Sequence, residues 1–148
     1  MADFNPYENE RDLLSPNRNI APISTEIDQT RCLIVGGCNL SNLVERYGSP
    51  LYVIDEETVR AACKAYRESL KQYYSGPSLA LYASKANSSL ALSSLVASEG
   101  LGIDVVSEGE LLTALNGGVA KDKIVFHGNN KSVQELLLAY ENGVTIVI

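Results

Sequence analysis

Residues 79–87 are Leu79-Ala80-Leu81-Tyr82-Ala83-Ser84-Lys85-Ala86-Asn87, a short apolar run that ends in a lysine among small side chains. The run is typical of a buried β-strand, and Lys85 would lie where that strand ends. Partial burial penalises a charged ammonium, and the neutral amine is the form that attacks an aldehyde. The stretch therefore predicts a Schiff-base lysine for an aldehyde cofactor. The alternative is a lysine whose stem packs at the strand end while its ammonium reaches water.

Strands and helices are predicted to alternate along the rest of the chain. The predicted strands are 79–83, 103–106, 124–126 and 144–148. The helices between them are 88–99, a segment that ends near 116 and a segment that ends near 142. This alternation predicts βα units in a parallel sheet, and strands that are apolar almost throughout predict that both sheet faces are covered. A doubly wound sheet and a closed barrel both satisfy the pattern.

A different pattern precedes residue 79. We expect the polar residues 1–31 to be a flexible arm and residues 32–148 to form one domain. Its first elements are predicted to be a strand at 32–35, a turn at Gly36-Gly37, a helix from Asn39 to Gly48, a buried strand at 51–54 and a long helix capped by Asp55. The inner face of that helix is predicted to hold Val59, Ala62, Cys63, Tyr66, Leu70 and Tyr73.

Composition narrows the function classes. The 148 residues are 45% hydrophobic and 20% charged, which is typical of a globular protein with one core. A net charge of −6 without a Lys/Arg cluster argues against nucleic-acid and membrane partners and favours small-molecule chemistry. Three unpaired cysteines indicate neither a disulfide framework nor a metal site. With no apolar span or secretory signal in the sequence, we expect a cytoplasmic location.

Polar residues stand at the later predicted strands: Asp104, Ser107, Glu110 and His127. Asp104 interrupts an apolar run, where a charge is costly without a partner, although a turn carboxylate is an alternative. Ser107 and Glu110 match a capping box, which would explain both as a helix start. His127 precedes a loop, where a half-buried histidine bonded to backbone is the alternative. In a barrel, catalytic residues gather at the carboxyl ends of the strands, and Lys85, Asp104 or Ser107, and His127 fall there.

Four segments in order carry a resemblance to a known family. They are Tyr-Gly-Ser-Pro-Leu-Tyr-Val at 47–53, Tyr-Ala-Ser-Lys-Ala-Asn at 82–87, Gly-Ile-Asp-Val-Val-Ser-Glu-Gly-Glu at 102–110 and Ile-Val-Phe-His-Gly-Asn-Asn-Lys at 124–131. Together they resemble the diaminopimelate decarboxylases, over about residues 32 to 148. The wider group, with ornithine and arginine decarboxylases and alanine racemase, is similar in using a pyridoxal phosphate barrel. The resemblance implies an α/β fold, the N-terminal part of a (β/α)8 TIM-like barrel that stops after about four barrel strands.

The resemblance also implies a cofactor and its site. Pyridoxal 5'-phosphate would bind Lys85 as a Schiff base, with Asp104 beside that lysine, His127 lining the pocket, and Ser107 and Glu110 nearby. The implied reaction is decarboxylation of an amino acid, meso-diaminopimelate, to L-lysine and CO2. We expect a homo-oligomer or association with a missing C-terminal part, because the chain resembles an N-terminal piece that would not work alone. Two alternatives stay open: a non-catalytic relic or regulatory binding module, and a pyridoxal phosphate carrier or racemase on the same barrel.

Overall fold

The computed structural model describes residues 20–148, so most of the predicted arm lies outside the described residues. The chain divides into two compact units, 1–59 and 60–148. No helix in the described range is both long enough and apolar enough to cross a membrane. The division into an arm and a domain that begins at residue 32 stays a prediction.

The first unit contains a three-stranded antiparallel sheet, β1 (Glu26–Ile27), β2 (Leu33–Val35) and β3 (Cys38–Asn39). Gly36 and Gly37 form the hairpin turn between β2 and β3 with φ of 55° and 75°, a conformation that glycine adopts at little cost. Helix α1 (Leu40–Tyr47) follows at once. The Asn39 side chain caps it, and Gly48 ends it. The predicted turn and helix are confirmed. The strand β1 lies within the segment that was expected to be an arm.

The predicted buried strand at 51–54 is wrong. These residues form no strand, and Tyr52 is 96% exposed. The apolar, β-branched composition favours a strand, but no described segment pairs with this backbone, and pairing is what stabilises a strand. A buried carboxylate follows the run, and burial raises the pKa of Asp55. Hydrogen bonds from Thr58 and Ser24 outweigh that effect, so the pKa is lowered overall.

Helix α2 (Glu56–Tyr73) begins as predicted, because Asp55 Oδ2 accepts the Thr58 N–H at 3.0 Å. Its predicted inner face is only partly correct. Cys63 is buried, whereas Tyr66 and Tyr73 are 69% and 73% exposed. The apolar stripe exists in the sequence, but Cys63 is its only buried member in the described range, and Val59 and Leu70 are partly covered.

The second unit is a parallel α/β sheet. Its strands are β4 (Leu81–Ala83), β5 (Gly102–Val105), β6 (Ile124–Phe126) and β7 (Thr145–Ile146). The connecting helices are α3 (Leu90–Ser98), α4 (Glu108–Asn116) and α5 (Val133–Asn142). The strands lie side by side in chain order, and all three pairings are parallel. This order confirms the barrel topology over the doubly wound one, whose strand order reverses at a switch point. The described strands form an open sheet and not a closed barrel.

One face of this sheet forms the core. Ile103, Val105, Ile124 and Phe126 are fully buried, and α3, α4 and α5 contact these strands or β7. The alternate residues, such as Asp104 and Val125, are partly exposed. The prediction that both faces are covered is therefore wrong for the described residues. In a complete barrel the inner face is filled by side chains from the opposite strands, and four strands do not supply them.

Gly102 is the point where β5 packs too closely to admit a side chain. A Cβ built there would lie 2.3 Å from the Lys123 carbonyl oxygen, a backbone atom. We expect Gly102→Ala to lower the free energy of unfolding by about 1–3 kcal/mol, because the backbone must shift to relieve the overlap. Urea unfolding measures the change. Gly109→Ala is the control, since that Cβ meets nothing within 4 Å in α4 and alanine favours a helix. Equal stability of the two variants would contradict the expectation.

Candidate functional site

Polar residues meet at the carboxyl edge of the parallel sheet. Ser84 and Lys85 follow β4 in a short 3-10 turn (Ser84–Ala86), and His127 directly follows β6. Asp104 is the third residue of β5, paired in register with Ala83 and Val125. Because the strands are parallel and adjacent, these residues lie at one edge.

Lys85 is exposed, not partly buried as the sequence predicted. It sits in a turn in which Ser84 alone is buried, at 3% exposure. No residue of the described range forms a salt bridge or hydrogen bond with its amine. The activation by burial that the sequence suggested is therefore not present among residues 20–148, but the amine is accessible and unpaired there.

Asp104 and His127 form a pair across two strands. Ile103 and Val105 point into the core, so Asp104 between them projects from the opposite face. His127 Nδ1 lies 2.7 Å from Asp104 Oδ1, and the His127 N–H donates to the Val105 carbonyl at 2.8 Å. The partner that the Asp104 charge requires is thus the sole histidine of the chain. The bond to the Val105 carbonyl is made by the His127 backbone amide, whereas the imidazole ring bonds to the Asp104 carboxylate.

The capping box at Ser107 and Glu110 is only half formed. Ser107 caps α4 by accepting the Glu110 N–H at 3.3 Å. The Glu110 carboxylate points elsewhere: its Oε2 accepts the Val106 N–H at 2.8 Å and the Ser84 hydroxyl at 2.6 Å. Local contacts therefore account for Ser107 and for the bond from Val106 to Glu110, but not for the bond from Ser84 to Glu110.

Helix α5 provides the comparison, since Ser132 and Glu135 form a complete capping box. Glu135 also accepts the Glu108 N–H at 3.1 Å, which joins the beginnings of α5 and α4. Hydrogen bonds from the Ser132 and Glu108 backbones and the Ser132 hydroxyl lower the pKa of the Glu135 carboxyl. Ser132 and Glu135 thus shape the starts of the two helices.

A second lysine, Lys131, lies at the same edge but is fully engaged. Its Nζ donates to the Gly128 carbonyl at 2.6 Å and to the Val147 carbonyl at 2.7 Å. The two bonds fasten the loop after β6 to the chain that follows β7. Of these two lysines at the edge, Lys85 is the one whose amine is available for chemistry.

The edge is open, and a cavity among the described residues lies elsewhere. A cavity of about 310 Å³ is lined by the chain entering β4 and β5 and by the end of α2, including Lys71, Leu79 and Leu101. These residues precede their strands, so the cavity is at the opposite end of the sheet from Lys85. No cluster of His, Cys, Asp and Glu within residues 20–148 is arranged to hold a metal ion.

Comparison with known proteins identifies the family. The profile described as "Pyridoxal-dependent decarboxylase, pyridoxal binding domain" matches residues 56–148. The chain belongs to this decarboxylase family. This match confirms the predicted family and its pyridoxal cofactor. The matched segment contains Lys85, Asp104, Ser107, Glu110 and His127. The roles of the individual residues stay predictions.

Several diaminopimelate decarboxylases are similar to this family member. The one from Synechocystis sp. is 46% identical over 142 residues, covering 90% of this chain and 30% of that protein. The one from Bacillus subtilis is 42% identical over 116 residues, covering 78% and 26%. A crystal structure of the M. jannaschii enzyme in co-complex with L-lysine superposes with a TM-score of 0.78 at 35% identity, covering 84% of this chain and 30% of that one. The chain thus spans at most about 30% of the length of these relatives.

One residue of the site was missed by the sequence reasoning. Ser84 bonds to Glu110, 26 positions away, and to the Asp104 carbonyl at 2.9 Å. No local sequence pattern predicts a contact between the end of β4 and α4, which is the second α-helix after that strand. The parallel pairing of β4 with β5 creates it, and a serine beside the motif lysine was the only signal.

Proposed function

We propose that the chain is the pyridoxal phosphate-binding part of an amino-acid decarboxylase and that Lys85 binds the cofactor covalently. One observation carries the proposal. Lys85 lies at the carboxyl edge of the sheet, in the segment that matches the family, and its exposed amine has no hydrogen bond or salt bridge among residues 20–148, whereas Lys131 at the same edge is held by two carbonyls. A lysine that forms a covalent bond needs a free amine.

The described residues fit this cofactor. Lys85 offers the amine, and the Asp104–His127 pair offers polar groups at the same edge, with 23% and 49% of their side chains exposed. We assign Asp104 and His127 to hold the cofactor's polar ring substituents. Ser107 and Glu110 are assigned to the same edge, near the cofactor. Pyridoxal phosphate, when bound, supplies an electron sink for the electron pair left when CO2 departs. The protein groups fix its orientation and its protonation.

The substrate is proposed from the relatives. They are named diaminopimelate decarboxylases, and one structure is described as a complex with L-lysine. We propose meso-diaminopimelate as the substrate, with L-lysine and CO2 as products, in a cytoplasmic enzyme. Since the chain spans about 30% of the length of these relatives, we assign the activity to a larger assembly. The half-covered sheet face is the surface that further barrel segments or a second copy would cover.

Cofactor labelling tests the proposal directly. The purified chain is mixed with pyridoxal phosphate, reduced with borohydride and digested, and the labelled peptides are mapped. We expect the label to concentrate on Lys85, with Lys131 as the internal comparison at the same edge. Label spread over exposed lysines such as Lys64 and Lys121, or the absence of label, would contradict the proposal and favour a non-catalytic binding module.

A further inference from the structure

We propose that Glu110 and Ser84 form a hydrogen-bonded clamp that positions Lys85, an inference that rests on the function proposed above. Ser84 directly precedes Lys85 and is the buried member of its turn, at 3% exposure. Its hydroxyl lies 2.6 Å from Glu110 Oε2 and 2.9 Å from the Asp104 carbonyl oxygen. The backbone from which Lys85 projects is therefore fixed by its neighbour.

One oxygen atom of Glu110 connects the segments that follow β4 and β5 to helix α4. Glu110 Oε2 accepts both the Ser84 hydroxyl and the Val106 N–H, the latter at 2.8 Å. Ser84 follows β4, Val106 follows β5, and Glu110 lies in the first turn of α4. The clamp therefore holds two strand ends in register at the point where the lysine leaves the sheet.

The contacts make Glu110 a positioning residue and not a catalytic one. Its carboxylate is occupied by Ser84 and Val106, and it bonds to neither Lys85 nor His127 in the described structure. The Lys85 side chain has no anchor of its own among residues 20–148. The position of its amine is thus set through the backbone that Ser84 and Glu110 hold.

Two conservative substitutions separate position from charge. Both hydrogen bonds end on one oxygen, so Glu110→Gln keeps a single carbonyl acceptor at the right reach without the charge. Glu110→Asp keeps the charge, but its side chain is one methylene too short. A clamp predicts that Gln behaves like the original residue and that Asp behaves like Ala. A role for the negative charge predicts the reverse order.

The experiment uses the 148-residue chain with pyridoxal phosphate and borohydride. Its first readout is the ratio of label on Lys85 to label on the exposed lysines Lys64 and Lys121. We expect Glu110→Asp, Glu110→Ala and Ser84→Ala to lower this ratio about tenfold, because small displacements of a reacting group have effects of this size, and Glu110→Gln to preserve it. The matched control is Glu108 in the same helical turn, an exposed residue, changed to Gln, Asp and Ala.

A second readout does not depend on the cofactor. Hydrogen exchange of the Val106 amide reports the clamp, and exchange at Ile103 and Ile124 reports the core. We expect the Val106 amide to exchange faster in Glu110→Asp and Glu110→Ala. We expect no change in Glu110→Gln. We also expect no change in Ser84→Ala, because that variant retains the bond between Val106 and Glu110. The inverse order of Gln and Asp, or loss of protection throughout the sheet, would overturn the clamp. If the unaltered chain fails to label Lys85, the proposed function fails, while Val106 exchange still decides whether the clamp exists.

Discussion

Lys85→Ala is expected to remove covalent attachment of pyridoxal phosphate at the sheet edge. The reason is chemical, because a reducible linkage needs a primary amine and alanine has none. Lys131, at the same edge, is tied to the Gly128 and Val147 carbonyls and is not free to replace it. After reduction with borohydride, we expect the label at this site to fall to the background level of the exposed lysines. We also expect decarboxylation to be lost in the complete assembly.

Lys85→Arg is the informative companion to this variant. It keeps the positive charge and the side-chain length, but its guanidinium does not form a stable linkage with an aldehyde. We expect both variants to unfold at the same urea concentration as the original chain, since Lys85 is exposed and makes no described bond. Retention of site-specific label in either variant would show that another residue binds the cofactor.

Residues that begin or end a helix by bonding to nearby backbone groups were predictable from the sequence. Asn39 and Gly48 bound α1, and Ser132 with Glu135 begins α5, because caps and glycine turns satisfy the local hydrogen bonds of helix ends. The βα alternation of the second unit was predictable for the same reason, since buried strands and amphipathic helices differ in period. The segment 124–126 was predicted with the bounds that the structure shows.

Features that depend on distant partners were not predictable. The run at 51–54 has strand composition but no described partner, so it stays exposed. The direction of the Glu110 carboxylate depends on Ser84, which only the pairing of β4 with β5 brings near. The exposure of Lys85 likewise depends on what covers the inner face of the sheet. A sequence pattern indicates which side chains need burial but not which segment provides it.

Phe126 links the core to the site, and Phe126→Ala has the largest stability effect that we expect. Phe126 is fully buried in β6, directly before His127, and its carbonyl accepts the Val147 N–H at 3.0 Å. Truncating a buried phenylalanine removes apolar contacts and leaves a cavity, which costs about 3–5 kcal/mol. That is a large part of the ~5–15 kcal/mol by which proteins of this kind are stable.

The loss of stability is also expected to disturb the site, because it changes the positions of the site residues. His127 is held by the Val105 carbonyl and by Asp104, and both bonds depend on β5 and β6 staying in register. We expect Phe126→Ala to lower the urea midpoint and to reduce selective labelling of Lys85 together. Tyr140→Ala in α5 is the control, because that ring is 78% exposed and its removal opens no cavity. If Phe126→Ala destabilised the chain no more than Tyr140→Ala, the core would not lie on the face that the sheet register assigns to it.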